Sequence, residues 1–204
     1  MKKLTPKAAF RKLAAIYEKM VAQYGEAAET IGMKCDGCTD NCCLSFFQHH
    51  TYVEWAYMWE GLNQLPADEL EEIKAKAQQY VDEGQEALAR GQRPHIMCPL
   101  NIDKNQGVCG LYKHRLMICR MHGIPNMLVK PNGQQIQFPG CYRCQELTTE
   151  YEKDGQMAPV VNRTSLYKDL VMLEMQFVGK NLRQMPKVDH TIAEMIVLGP
   201  PRFK

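Results

Sequence analysis

No apolar run in this sequence approaches the roughly 20 residues needed to cross a bilayer. The nearest, "LVMLEMQFVG", is interrupted by Glu174. The amino-terminal "MKKLTPKAAFRKLAAIY" starts like a secretion signal, but Lys7, Arg11 and Lys12 break its apolar stretch and no small-residue cleavage site follows. There is no block of basic residues, and a formal charge of +2 spread over 204 residues would not track a phosphate backbone. A glycine-rich nucleotide loop following a strand is also missing. So are internal repeats, low-complexity tracts and any linker that would divide the chain. The expectation is a soluble, cytoplasmic protein folded as one domain over residues 1–204, with no nucleic-acid and no membrane partner.

Cysteine is neither scarce nor dense. Nine in 204 residues fall below the roughly 8–10% of disulfide scaffolds. The count is odd, and a reducing cytosol keeps thiols free. Disulfides are therefore the weaker reading. All nine lie between Cys35 and Cys144, leaving both ends of the chain without any.

Those ends read as helices. Thr5 followed by Pro6 has the pattern of an N-cap with proline at the first helical position. Phe10, Leu13, Ile16, Tyr17, Met20, Val21 and Tyr24 then recur every three or four residues, to an end near Gly25 or Gly32. Thr51 and Glu54 have capping-box spacing and open a second helix with Trp55 and Trp59 on one face. A third runs from Pro66 to about Arg90 with a narrow apolar stripe. Residues 160–198 read as two more helices, the second from Asp189 through Leu198. Between His95 and Cys144 the helical period fades. There "NMLVK" and "QQIQF" predict a hairpin around Pro131, Asn132 and Gly133, and "LYKHRLMICRMHG" predicts one helix that carries Cys119 and stops at Gly123. The fold class expected is mainly α with a small β-hairpin (α+β), helices surrounding an irregular cysteine-rich metal-binding centre.

The stretch "MKCDGCTDNCCLSF" places Cys35, Cys38, Cys42 and Cys43 within nine positions, separated by turn formers. Spacings of two and three let one tight loop aim Cys35, Cys38 and Cys42 at a single centre. Cys43, adjacent to Cys42, would point elsewhere, to a second metal position, to the back of the site, or into the core as a packed free thiol. Cys98, Cys109, Cys119, Cys141 and Cys144 come from other segments, the last two again as C-x2-C.

These residues resemble the CxxCxxCC cysteine-cluster family, described as a zinc- or iron-chelating domain and related to part of flagellin lysine N-methylases. The likeness runs through "CDGCTDNCC", "CPL" at Cys98 and "GVCGLYKHRLMICR", where Cys109, Tyr112, Arg115, Cys119 and Arg120 follow the family pattern. Two departures stand out. Three residues, not two, precede the Cys pair, and Leu116 replaces a usual proline. The likeness covers about residues 33–145, the cysteine-cluster core, and implies a metal site of about eight cysteines without specifying the metal.

Chemistry weighs the metals. Cys35, Cys38, Cys141 and Cys144 could form a four-thiolate zinc site. The sulfur count exceeds what one zinc uses, however, and Arg115 and Arg120 beside Cys119 would offset the negative charge of a thiolate-ligated cluster. The reading is a 4Fe-4S cofactor, with zinc as the alternative. His49, His50, His114 and His122 are further candidate ligands or hydrogen-bond donors to sulfur. Three functions stay open: an iron–sulfur protein with a redox or cluster-dependent role, a zinc-stapled interaction domain, and a methyl-transferring enzyme. The first would act with a protein or small-molecule redox partner, and the third rests on family analogy alone.

Overall fold

The computed structural model describes residues 3–35, 42–103, 105, 107–153 and 155–203. Cys38 lies outside them, as do the other residues between Cys35 and Cys42. Among the described residues the chain forms seven α-helices, one two-stranded sheet and one three-stranded sheet, so the mainly-α expectation holds.

Helix α1 spans Pro6–Thr30, with the Thr5 side chain accepting from the Ala8 amide at 3.4 Å. Its periodic face buries Leu13, Ile16, Tyr17 and Met20, against α6 (Thr164–Val178), α4 (Met117–Met121) and α2 (Tyr52–Leu62). Helix α3 (Ala67–Ala89) packs its Ile73, Ala77 and Tyr80 stripe along α7 (Ile192–Val197). On α2 the two tryptophans share a face as expected, and both indoles donate to the Met195 carbonyl at 3.0 Å. That single acceptor ties α2 to α7.

The capping box expected at Thr51 is not formed. The Thr51 hydroxyl donates to the Glu54 carboxylate at 2.8 Å, and the first amides of α2, Tyr52 and Val53, donate to Glu174 of α6, each at 2.9 Å. A carboxylate from a neighbouring helix satisfies the orphan N–H groups and meets the positive end of the helix dipole. Burial raises the Glu174 pKa, against which the two amide bonds act. A complete capping box occurs instead at Thr191 and Glu194, so the last helix starts at Ile192 rather than Asp189.

The middle of the chain is more finely divided than its sequence suggests. Strands β1 (Asn101–Asp103) and β2 (Val108–Cys109) form an unanticipated antiparallel pair. The expected hairpin is present as β3 (Asn126–Val129) with β4 (Gln135–Phe138), and β5 (Val161–Asn162) adds to β3 in parallel. The helix predicted over "LYKHRLMICRMHG" is broken: a 3-10 turn at Tyr112–His114 gives way to extended backbone at Arg115 and Leu116 before α4 begins. Side-chain burial explains the break. Leu111, Leu116, Met117 and Met121 all enter the core, which one straight helix could not achieve. Helix α5 (Tyr142–Glu152) starts directly after Cys141. No helix of the described residues is long and apolar enough to cross a membrane.

Candidate metal centre

The cysteines fall into two groups. Cys42 and Cys43 open a short 3-10 turn (Cys42–Leu44), and the Cys43 carbonyl accepts from the Cys98 amide at 2.8 Å. The Cys98 carbonyl in turn accepts from Asn101 at 3.0 Å, and β1–β2 pairing sets Asn101 opposite Cys109. Cys119 enters from α4. Cys42, Cys43, Cys98, Cys109 and Cys119 thereby line one cavity of about 50 Å³, with Arg115, His49 and His114 in its wall.

Desolvation dominates the electrostatics here. Burial pushes Cys119 up to about 12 and raises Cys98 and Cys109, because a low-dielectric site disfavours the anion. Cys43 runs the other way, drawn down to about 6 first by a hydrogen bond from Cys42, whose own pKa is correspondingly raised. The adjacent thiols thus face one another instead of diverging. The tight 3-10 turn is the reason the expected divergence of Cys43 fails. Arg115 supplies the positive charge, lowering Cys42, Cys43, Cys109 and Cys119. Its guanidinium is anchored on the Cys119 carbonyl.

Arg120 behaves differently. It donates to the carbonyls of Arg115 (2.7 Å) and Lys113 (2.8 Å) and lies 4.2 Å over the Tyr17 ring. Among sulfurs its charge bears on Cys109, where it is the smallest contribution. It shapes the loop that presents Arg115.

The second group sits at the end of α1. The Tyr24 hydroxyl is 3.7 Å from the Cys35 sulfur, and the charges of Cys35 and Cys141 both bear on it. Cys141 approaches the Gly123 carbonyl at 3.6 Å, and Cys144 is buried against Thr148 at 3.7 Å. Arg143 donates to the Lys34 carbonyl at 3.2 Å, fixing α5 beside Cys35. Among the described residues Cys35 neighbours Cys141 about Tyr24, and Cys42 shares the cavity with Cys119; the expected cradle of Cys35, Cys38 and Cys42 falls in part on residues outside those described. Cys38 lies outside the described residues. Arg115 also bears on Tyr24, so it stands between the groups.

Gly140 is constrained from two sides. Its φ is +85°, and an added Cβ would lie 3.0 Å from the Cys144 sulfur, the Gly123 oxygen and the Ile124 carbonyl carbon. Gly140→Ala should destabilise the protein by about 2 kcal/mol through left-handed strain and that crowding. Thermal unfolding checks this; an unchanged midpoint would mean the α5 entry relaxes freely.

Of the four candidate histidines, two are not in the cavity wall. His50 pairs with Asp189 at 3.4 Å, and His122 packs edge-on to Phe47. His114 lies on Tyr57 and is 3.8 Å from Glu60. His49 is 1% exposed and neither ring nitrogen has a hydrogen-bond partner among the described residues. Asn101, and Tyr24, which the sequence marks only as part of a helical face, belong to the two groups. A lone Asn before a turn and a helical Tyr carry no signal of their own.

As a test of fit, five thiols and a cation around one cavity are the donor chemistry of a thiolate-ligated metal. The sulfurs do not form a finished polyhedron: among the described residues no three His, Cys, Asp or Glu side chains converge on one coordination point. The fit lies in donor type and grouping. A family model, CxxCxxCC, with the description "Putative zinc- or iron-chelating domain", matches residues 34–141. Comparison with curated proteins and with solved structures finds no match.

Proposed function

The chain belongs to the CxxCxxCC family, and from that premise we propose that it is an iron–sulfur protein of the 4Fe-4S class with a redox or cluster-dependent role. Four of Cys42, Cys43, Cys98, Cys109 and Cys119 would hold the cluster, one thiolate to each iron. The observation that carries this reading is that five thiols line one cavity beside Arg115, a thiolate donor set with a cation placed to offset the negative charge of a thiolate-ligated cluster. A bound cluster supplies one-electron chemistry at a potential set by nearby charge, hydrogen bonds and solvent exposure. Arg115 offsets thiolate charge. Leu116, Met58 and Leu100 line the cavity and limit water around it. The partner in this reading is a protein or small molecule that exchanges electrons.

A second metal is favoured by the other group. Cys141 and Cys144 with Cys35, and Cys38 by its C-x2-C spacing, have the donor set of a structural zinc site. Their C-x2-C pair sits at the start of α5, where a staple would tie α5 to the end of α1.

Anaerobic purification with iron, zinc and acid-labile sulfide analysis tests both. Sulfide and iron with about one zinc per chain is the expected result. Colourless protein with zinc alone defeats the iron–sulfur reading. The arginines refine it. Arg115→Gln should lower the reduction potential by on the order of 50 mV, roughly tenfold in a one-electron equilibrium. Arg120→Ala should leave the potential in place and cost about 1–2 kcal/mol of stability through lost carbonyl bonds and the Tyr17 contact. Equal potentials in Arg115→Gln and the parent would remove the charge-offset role.

A further inference from the structure

Asn101 sits where the chain segments bearing three of the thiols meet. Its amide donates to the Cys98 carbonyl, its backbone pairs with Cys109, and the turn after it brings Gly107 within 3.9 Å of the Cys43 sulfur. The side chain is 8% exposed, yet neither Oδ1 nor Nδ2 has a hydrogen-bond partner among the described residues. A buried amide in that condition is costly, and a polar group left so in a native fold calls for an absent acceptor or ion. The group it lies against is Cys43. No full hydrogen bond is formed among the described residues, but the side chain is near enough to bias that thiol toward its anion.

We propose that Asn101 is a positioning residue of the metal centre, its Nδ2–H donating to the sulfur of metal-bound Cys43. A thiolate only accepts, so its presence selects the amide orientation that turns Nδ2 inward. A neutral donor suits the place. It stabilises thiolate without adding a second cation beside Arg115, and without the repulsion a carboxylate would bring. Such outer partners orient ligands and tune the electron density they give to the metal. The inference rests on Cys43 being a ligand and holds for iron or zinc alike.

The experiment uses full-length, metal-loaded protein and follows metal release to a chelator together with the thermal midpoint. Asn101→Leu keeps the branched shape and removes both polar atoms; Asn101→Asp keeps shape and size and replaces the donor with an anion. Both should fold by circular dichroism, and both should hold metal roughly 10- to 100-fold more weakly, the aspartate variant more so. For a coloured centre, the sulfur-to-metal charge-transfer band should also shift. A leucine variant that retains metal like the parent and melts higher would overturn the proposal, because that is how a poorly satisfied core amide behaves. Should leucine prevent folding, unchanged retention in the isosteric aspartate variant overturns it equally. Absence of sulfide defeats the iron–sulfur reading alone, since retention of zinc reports on Asn101 just as well.

Discussion

Replacing Cys98, Cys109 or Cys119 with serine is expected to strip metal from the main site, while Cys144→Ser leaves that site loaded. Serine is a harder donor whose hydroxyl does not ionise near neutral pH, so it replaces a thiolate poorly. Each of the three cysteines comes from a separate segment: the turn before β1, strand β2 and helix α4. Losing one removes a tether as well as a ligand. Because binding free energy adds to folding free energy when a site is assembled by the fold, the variants should also melt lower than the parent. Metal content should drop at least about tenfold, judged against the roughly 10–16 kcal/mol apparent binding of structural thiolate sites. Cys144 belongs to the group beside Tyr24, and its loss should show in the stability of the α5 region. Full metal content in all three main-site variants would dismiss the five-thiol centre.

The second large effect is acid sensitivity centred on His49. Burial, with a smaller contribution from His50, pushes its pKa down from 6.5 to about 3. The folded protein therefore holds this imidazole neutral where the unfolded chain would protonate it. Unfolding takes up a proton below about pH 6.5, so this contribution is fully present above that pH and is lost as pH falls toward 3. The slope approaches about 1.4 kcal/mol per pH unit, or about 2–3 kcal/mol between pH 6 and pH 4. Thiolate protonation also destabilises a metal site in acid, so the measurement is a difference. His49→Phe fills much the same space, removes two nitrogens that lack hydrogen-bond partners among the described residues, and should be more stable than the parent at pH 5, by a margin that shrinks toward pH 8. Parallel pH profiles for the two proteins would show that His49 does not titrate with unfolding.

Local pattern carried the periphery. Thr5–Pro6 and an apolar residue every third or fourth position determine α1 whatever it packs against. Two short alternating strands around Pro131, Asn132 and Gly133 determine the β3–β4 hairpin in the same way. The cysteine count, the C-x2-C pairs and the family likeness were legible for the same reason: they are properties of neighbours along the chain. The partition of the cysteines was not. Whether Cys35 shares a site with Cys42 or with Cys141 depends on where the end of α1 meets the start of α5, a contact more than a hundred residues long in sequence. Arg115 and Arg120 look equivalent in "HRLMICR", and only the break between the Tyr112–His114 turn and α4 turns one toward the thiols and the other toward Tyr17. Thr51 and Glu54 have the spacing of a capping box, but Glu174 on α6 occupies the helix N-terminus first. In each case a backbone donor or a buried charge takes the nearest partner in space. Sequence distance has no say in that choice.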